Sequence, residues 1–233
     1  QSELAEADLL VLRGRASDAV ELYASIFAVQ VLENPFQLMS LSLYARALRE
    51  TGRAELARAF CEENLARLAA SGDLSRLHAF RQLIQQLALA EAQLGWCESA
   101  RTRLDEQLAI AVQPDPNPLT LGSLERDRAR VAIVAKDDYA FEHSLAEMKR
   151  WFNATRNPWL LQQCDALVAS AERTGLRAAQ FQPGPLTHVV DDLDGSTGVD
   201  LEETQAAKHN AVRASLPAAE SLPSEPPPRT ARG

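Results

Sequence analysis

Short segments of the form G-x4-A recur in phase along this chain, and a chain with such a period is constrained to stacked units rather than one closed core. Gly14-Arg-Ala-Ser-Asp-Ala19, Gly52-Arg-Ala-Glu-Leu-Ala57 and Gly95-Trp-Cys-Glu-Ser-Ala100 share the pattern. Ala135-Lys-Asp-Asp-Tyr-Ala140 keeps the spacing with alanine in the glycine's place, and Gly175 follows Glu172-Arg173-Thr174. The anchors stand at 14, 52, 95, 135 and 175, so the intervals are 38, 43, 40 and 40 residues. Glycine suits the left-handed residue that closes a helix. Alanine five residues later lets the next helix approach closely. Each unit therefore reads as two antiparallel helices.

The expected pairs are 3–13 with 17–32, 36–51 with 54–70, 74–94 with 97–112, and 119–135 with 138–153. Apolar residues recur at three and four within them: Ile84, Leu87, Leu89 and Leu94; Leu104, Leu108 and Ala111; Val131, Val134 and Phe141. Pro114, Pro116 and Pro118 are expected to stop the third pair. A fifth first-helix, 159–174, lacks a full partner and is expected to cap the stack. No stretch sustains β alternation. The expected fold class is all-α.

Composition sharpens this. Aromatics are sparse at 6% while hydrophobic content is 46%, which favours helices packed through small side chains. The net charge of −8 argues against nucleic acid and anionic membrane as partners. There is no run of 18 apolar residues for a membrane span. Cys61, Cys97 and Cys164 are odd in number and far apart, and read as buried thiols in a reducing, cytoplasmic setting. A start at Gln1 fits a fragment or a processed product. Seven of the twelve prolines lie in the last 51 residues. The expected domains are a helical repeat domain, 1–181, and an acidic, proline-rich, mostly disordered tail, 182–233.

With these residues in place the chain resembles the tetratricopeptide repeat superfamily. Ala45, Gly52, Ala57 and Phe60 carry the resemblance in the second unit, and Ala7, Gly14, Ala19 and Tyr23 in the first. Ala88, Gly95 and Ala100 fit in the third, where Arg103 stands near the expected aromatic. The fourth reads Arg128, Ala135, Ala140 and His143. The forty-residue period is similar to the longer-helix variants, such as those of kinesin light chains. The resemblance implies a right-handed superhelical solenoid whose first helices line a concave face that holds an extended peptide. Alignment on the glycines puts Arg46, Arg49, Gln82, Gln85, Leu89 and Glu125 near that face. Ser42 and Arg46 fall where the carboxylate-gripping subclass has Lys and Asn, so that clamp is absent. Arg46 and Arg49 could instead pair with an acidic peptide, or stand as solvated arginines of little energetic weight.

Other motifs have plainer alternatives. Residues 189–197, with Asp192 and Asp194, resemble the nucleophile loop of haloacid-dehalogenase-type phosphatases, but only 36 residues follow Thr197 and no catalytic domain can be built from them. The same stretch offers oxygen ligands at calcium-loop spacing, Asp192, Asp194, Ser196, Asp200 and Glu203, with Thr197 where a turn glycine is expected. His143 and Glu147 have metal-binding spacing but no third ligand in sequence. Cys164 has no nearby His, and Trp96, Trp151 and Trp159 are expected to wedge helix pairs. No cofactor motif occurs. The expectation is a non-catalytic protein or peptide binder, the regulatory or scaffolding part of a larger bacterial signalling protein. The alternative is a self-associating unit that forms a homo-oligomer.

Overall fold

The computed structural model describes residues 2–29, 35–71, 77–112 and 116–176. The chain divides into two units, Gln1–Gln182 and Pro183–Gly233. The second unit, with the candidate phosphatase and calcium loop at 189–203, lies outside the described residues. Among the described residues there is no strand, and nine helices follow one another: α1 Ser2–Leu12, α2 Ala16–Val29, α3 Pro35–Glu50, α4 Ala54–Ser71, α5 Leu77–Gln93, α6 Cys97–Ala111, α7 Pro118–Ala135, α8 Asp138–Ala154 and α9 Pro158–Arg173. The fold is all-α, a stack of antiparallel helix pairs.

Two helix starts add to the reading of proline. The third pair ends at Ala111, before the three prolines, and Pro118 is also the first residue of α7, as Pro158 is of α9. Asn117 Oδ1 accepts from the Leu119 and Thr120 amides at 3.0 and 3.1 Å, and Asn157 Oδ1 from the Trp159 amide at 3.1 Å. At the first helical position the amide that proline lacks has no intrahelical acceptor anyway. Asn-Pro is thus a start signal here.

One junction is repeated throughout, and its hydrogen bonds explain the period. Gly14, Gly52, Gly95 and Gly175 take φ between 76° and 88°, and Lys136 takes 55°. Gly52 N–H donates to the Arg49 carbonyl (3.1 Å) and Arg53 N–H to that of Leu48 (2.8 Å), the paired closure of a Schellman turn. The Arg53 carbonyl then accepts from Ala57 N–H at 3.0 Å. One residue therefore closes a helix and opens the next. The same bonds recur at Gly14-Arg15-Ala19, Gly95-Trp96-Ala100 and Lys136-Asp137-Phe141.

The last of these corrects the fourth unit by one residue. Its left-handed residue is Lys136, not Ala135, and the position five later is Phe141, not Ala140. Seven residues before Gly14, Gly52, Gly95 and Lys136 stand Ala7, Ala45, Ala88 and Ala129, all fully buried. Five after stand Ala19, Ala57, Ala100 and Phe141, also fully buried. A left-handed L-residue costs roughly 1 kcal/mol or more, partly offset by glycine's extra unfolded-state freedom. Lys136→Gly is therefore expected to raise stability by about 0.5–1 kcal/mol, seen as a thermal midpoint higher by about 1–4 °C. A lower midpoint would contradict the strain assigned to Lys136.

The pairs build two layers. Each odd helix packs on the next odd helix, α1 on α3, α3 on α5, α5 on α7 and α7 on α9, whereas no comparable packing joins α2 to α4, α4 to α6 or α6 to α8 among the described residues. The odd helices thus form a close-set inner layer. The core runs along the stack from Val11, Leu41 and Leu83 through Leu104 and Leu124 to Phe141 and Phe152. Gly122 of α7 lies against the Phe152 ring of α8 with no space for a further carbon.

Buried polar groups are tied across helices. Tyr23 Oη donates to Asp8, whose second oxygen accepts from Ser40 Oγ at 2.9 Å. Tyr23, Phe27, Tyr44 and Phe60 form one ring cluster, Tyr44 and Phe60 meeting edge to face at 4.9 Å. Burial pushes the Cys61 thiol from its ordinary 9.0 up to about 12. It also raises Tyr23, Tyr44 and Cys164. Groups that hold their protons more tightly when folded contribute full stability below their ordinary pKa and lose it as pH rises. The urea midpoint is expected to fall progressively above about pH 9, with Cys61→Val flattening the first part of the fall. A midpoint unchanged between about pH 8 and 11 would contradict it.

Candidate functional site

The inner layer carries two adjoining hollows, and odd helices supply every lining residue. One, of about 190 Å³, is bounded by Arg49 of α3, Leu89, Ala92 and Gln93 of α5, Arg130, Ile133 and Val134 of α7, and Ser170 of α9. The other, of about 290 Å³, is bounded by Arg126, Arg130 and Ile133 of α7 and by Gln163, Leu167, Ser170 and Arg173 of α9. Arg130, Ile133 and Ser170 belong to both, so the two hollows adjoin and together make a groove across α3, α5, α7 and α9. The repeat places them there. Arg49, Ala92 and Ile133 each stand three residues before a left-handed residue, and Leu89 and Arg130 six before.

Four arginines line this groove, and the ion pairs seen for them run to Asp127. Arg126 Nε lies 3.3 Å and Arg130 Nη1 3.1 Å from Asp127 Oδ1. Arg126 Nη1 also donates to Gln163 Oε1 at 3.1 Å. Asp127 is 1% exposed, and its Oδ2 has no hydrogen-bond partner. Arg49 Nε reaches Gln86 Oε1 at 3.4 Å, a long bond, and Arg173 Nε donates to the Ala169 carbonyl at 3.1 Å. Burial lowers the pKa of Arg49 below its ordinary value, and repulsion from Arg130 adds to this. Arg130 is likewise lowered by burial, with Asp127 opposing. Both remain cationic at neutral pH.

Of the residues expected on this face, the structure brings Arg49 and Leu89 together in the groove. Arg46 lies beside it, paired with Glu50 at 2.7 Å. Gln82 is half-buried and Gln85 is buried. Glu125 is buried outside the groove against Arg128 at 3.3 Å, and burial raises its carboxyl above the ordinary value. The one-residue slip explains Glu125: counted from Lys136, the equivalent of Gln85 is Arg126. Gln163, Leu167, Ser170 and Arg173 of the groove lie on α9, the expected cap, which thus supplies a wall of the groove as well.

The other candidates separate from the groove. His143 is exposed and Glu147 pairs with Arg150. No group of three or more His, Cys, Asp or Glu able to hold a metal occurs among the described residues. Cys164 is buried with its thiol raised by burial, the reverse of an activated nucleophile. Trp96 and Trp159 are 49% and 66% exposed, so they do not wedge the helix pairs; Arg58 covers the Trp96 ring at 5.0 Å. No described helix is long and apolar enough to cross a membrane.

No protein family matches the sequence, and no curated protein matches it. Its structure is similar to crystal structures of the nearly identical TPR-like repeats assigned to a kinesin light chain of Podosopora anserina. One covers 77% of this chain and 96% of that one, with a TM-score of 0.46 and 19% identity. A single-substitution form of the same repeats covers 75% and 95%, with a TM-score of 0.46 and 20% identity.

Proposed function

We propose that the helix pairs form a non-catalytic protein–protein interaction module that holds a peptide or protein segment in the groove of its inner layer. One observation carries this reading: a groove, lined by four successive first helices, with guanidiniums and side-chain amides above an apolar floor of Leu89, Ile133 and Leu167. Such a surface is preformed, so a segment laid along it costs the module little ordering. A regulatory or scaffolding part of a larger protein is the setting this activity fits.

Filling the groove tests it. Ser170→Trp should abolish capture of a native partner by the full chain while helicity stays unchanged. Equal capture by Ser170→Trp and the parent chain would move the interface to another face. Association only with further copies of the chain would favour the self-assembling alternative.

A further inference from the structure

We propose that the arginine-walled groove selects an extended segment rich in aspartate or glutamate, a refinement that rests on the groove reading above. The chain as a whole carries a net charge of −8, yet Arg49, Arg126, Arg130 and Arg173 line one groove with the single buried carboxylate of Asp127 paired into it. The local sign is therefore opposite to that of the molecule. That reversal is what recognition of an acidic segment by an acidic protein requires.

The cations are divided between the two hollows and come from three helices. Arg49 stands at the α3 end, Arg130 on the shared wall, and Arg126 and Arg173 at the α9 end. An arrangement of this kind fits carboxylates spaced along an extended strand better than it fits one compact anion. The bonds seen for Arg49 and Arg173 are donated by Nε, and among the described residues no hydrogen bond donated by their terminal nitrogens is seen. Those nitrogens are the ones that grip a carboxylate. Asp127 acts as a positioning residue, because its Oδ1 holds Arg126 and Arg130 side by side. The floor of Ile133, Leu167 and Ala92 takes the aliphatic stems of glutamate or small apolar residues between the acids.

The test is fluorescence anisotropy on the full chain with a fluorescein-labelled ten-residue peptide of alternating glutamate and alanine. Its glutamine counterpart and a single-stranded DNA of ten nucleotides serve as competing probes. The glutamate peptide should bind, and should bind more weakly as salt rises. Arg130→Gln and Arg173→Gln should each weaken it about tenfold. Arg15→Gln, which removes an exposed arginine paired with Asp18, should change nothing. Arg173→Gln keeps the test valid if Arg130→Gln misfolds, since Arg173 bonds only a carbonyl of its own helix among the described residues. Absence of glutamate-peptide binding, equal binding of the glutamine peptide, tighter binding of DNA, or indifference to both substitutions would each overturn the proposal. If the glutamate peptide fails while Ser170→Trp still abolishes partner capture, the acidic chemistry is wrong and the groove reading stands. If both fail, both fall.

Discussion

Gly122→Ala is expected to destabilise the chain by about 3 kcal/mol, the upper end of the cost of overpacking. The added Cβ would fall on Cε1 and Cδ1 of Phe152. That ring is fully buried, packed with Met148 and Leu167 in the cluster that joins α7, α8 and α9. It cannot swing aside without opening the cluster. Phe152→Leu alone should also destabilise, by leaving a cavity. Together the two changes should cost less than the sum of the singles, because the smaller side chain accommodates the new methyl. Urea unfolding of the four proteins measures the cycle. A loss under about 0.5 kcal/mol for Gly122→Ala would show that α7 and α8 are not in close contact there.

Arg103→Met carries the second large effect, a loss of about 3–5 kcal/mol. Glu91 is buried, and Arg103 Nε lies 2.9 Å from both of its oxygens, with Ser99 Oγ donating to Oε2 at 3.1 Å. Removing the guanidinium strands a buried carboxylate, whereas removing both charges does not. Glu91→Met with Arg103→Met should recover most of the loss in thermal unfolding. A double variant as unstable as Arg103→Met alone would show that the guanidinium stem, rather than charge pairing, is what α6 contributes.

These two sites show what can and cannot be read from residues alone. The helix pairs are legible because the glycine before the second helix of the first three pairs has a local cause, the left-handed closure, and that cause repeats. The fourth junction escapes by one position because Lys136 takes the glycine conformation without being glycine, and the only visible anchor is the neighbouring alanine. That slip of one turns Arg126 into Glu125 in the expected face. Pro118 is legible as a break and is a start as well, as Pro158 is, since a capping asparagine gives proline its place. The Arg103–Glu91 pair spans a helix hairpin, and the α9 residues of the groove meet α7 only through stacking. No local pattern encodes either. Both follow once the odd helices are known to lie side by side.

The most direct test of groove binding is site-specific photocrosslinking in cells, with benzoylphenylalanine placed in the full chain at Ser170 or at Ala59. Ser170 lines both hollows, whereas Ala59 is exposed on α4 in the other layer. Crosslinks to a partner from Ser170, with none from Ala59, are expected. Crosslinks from Ala59 with none from Ser170 would place the working surface on the outer layer and contradict the groove.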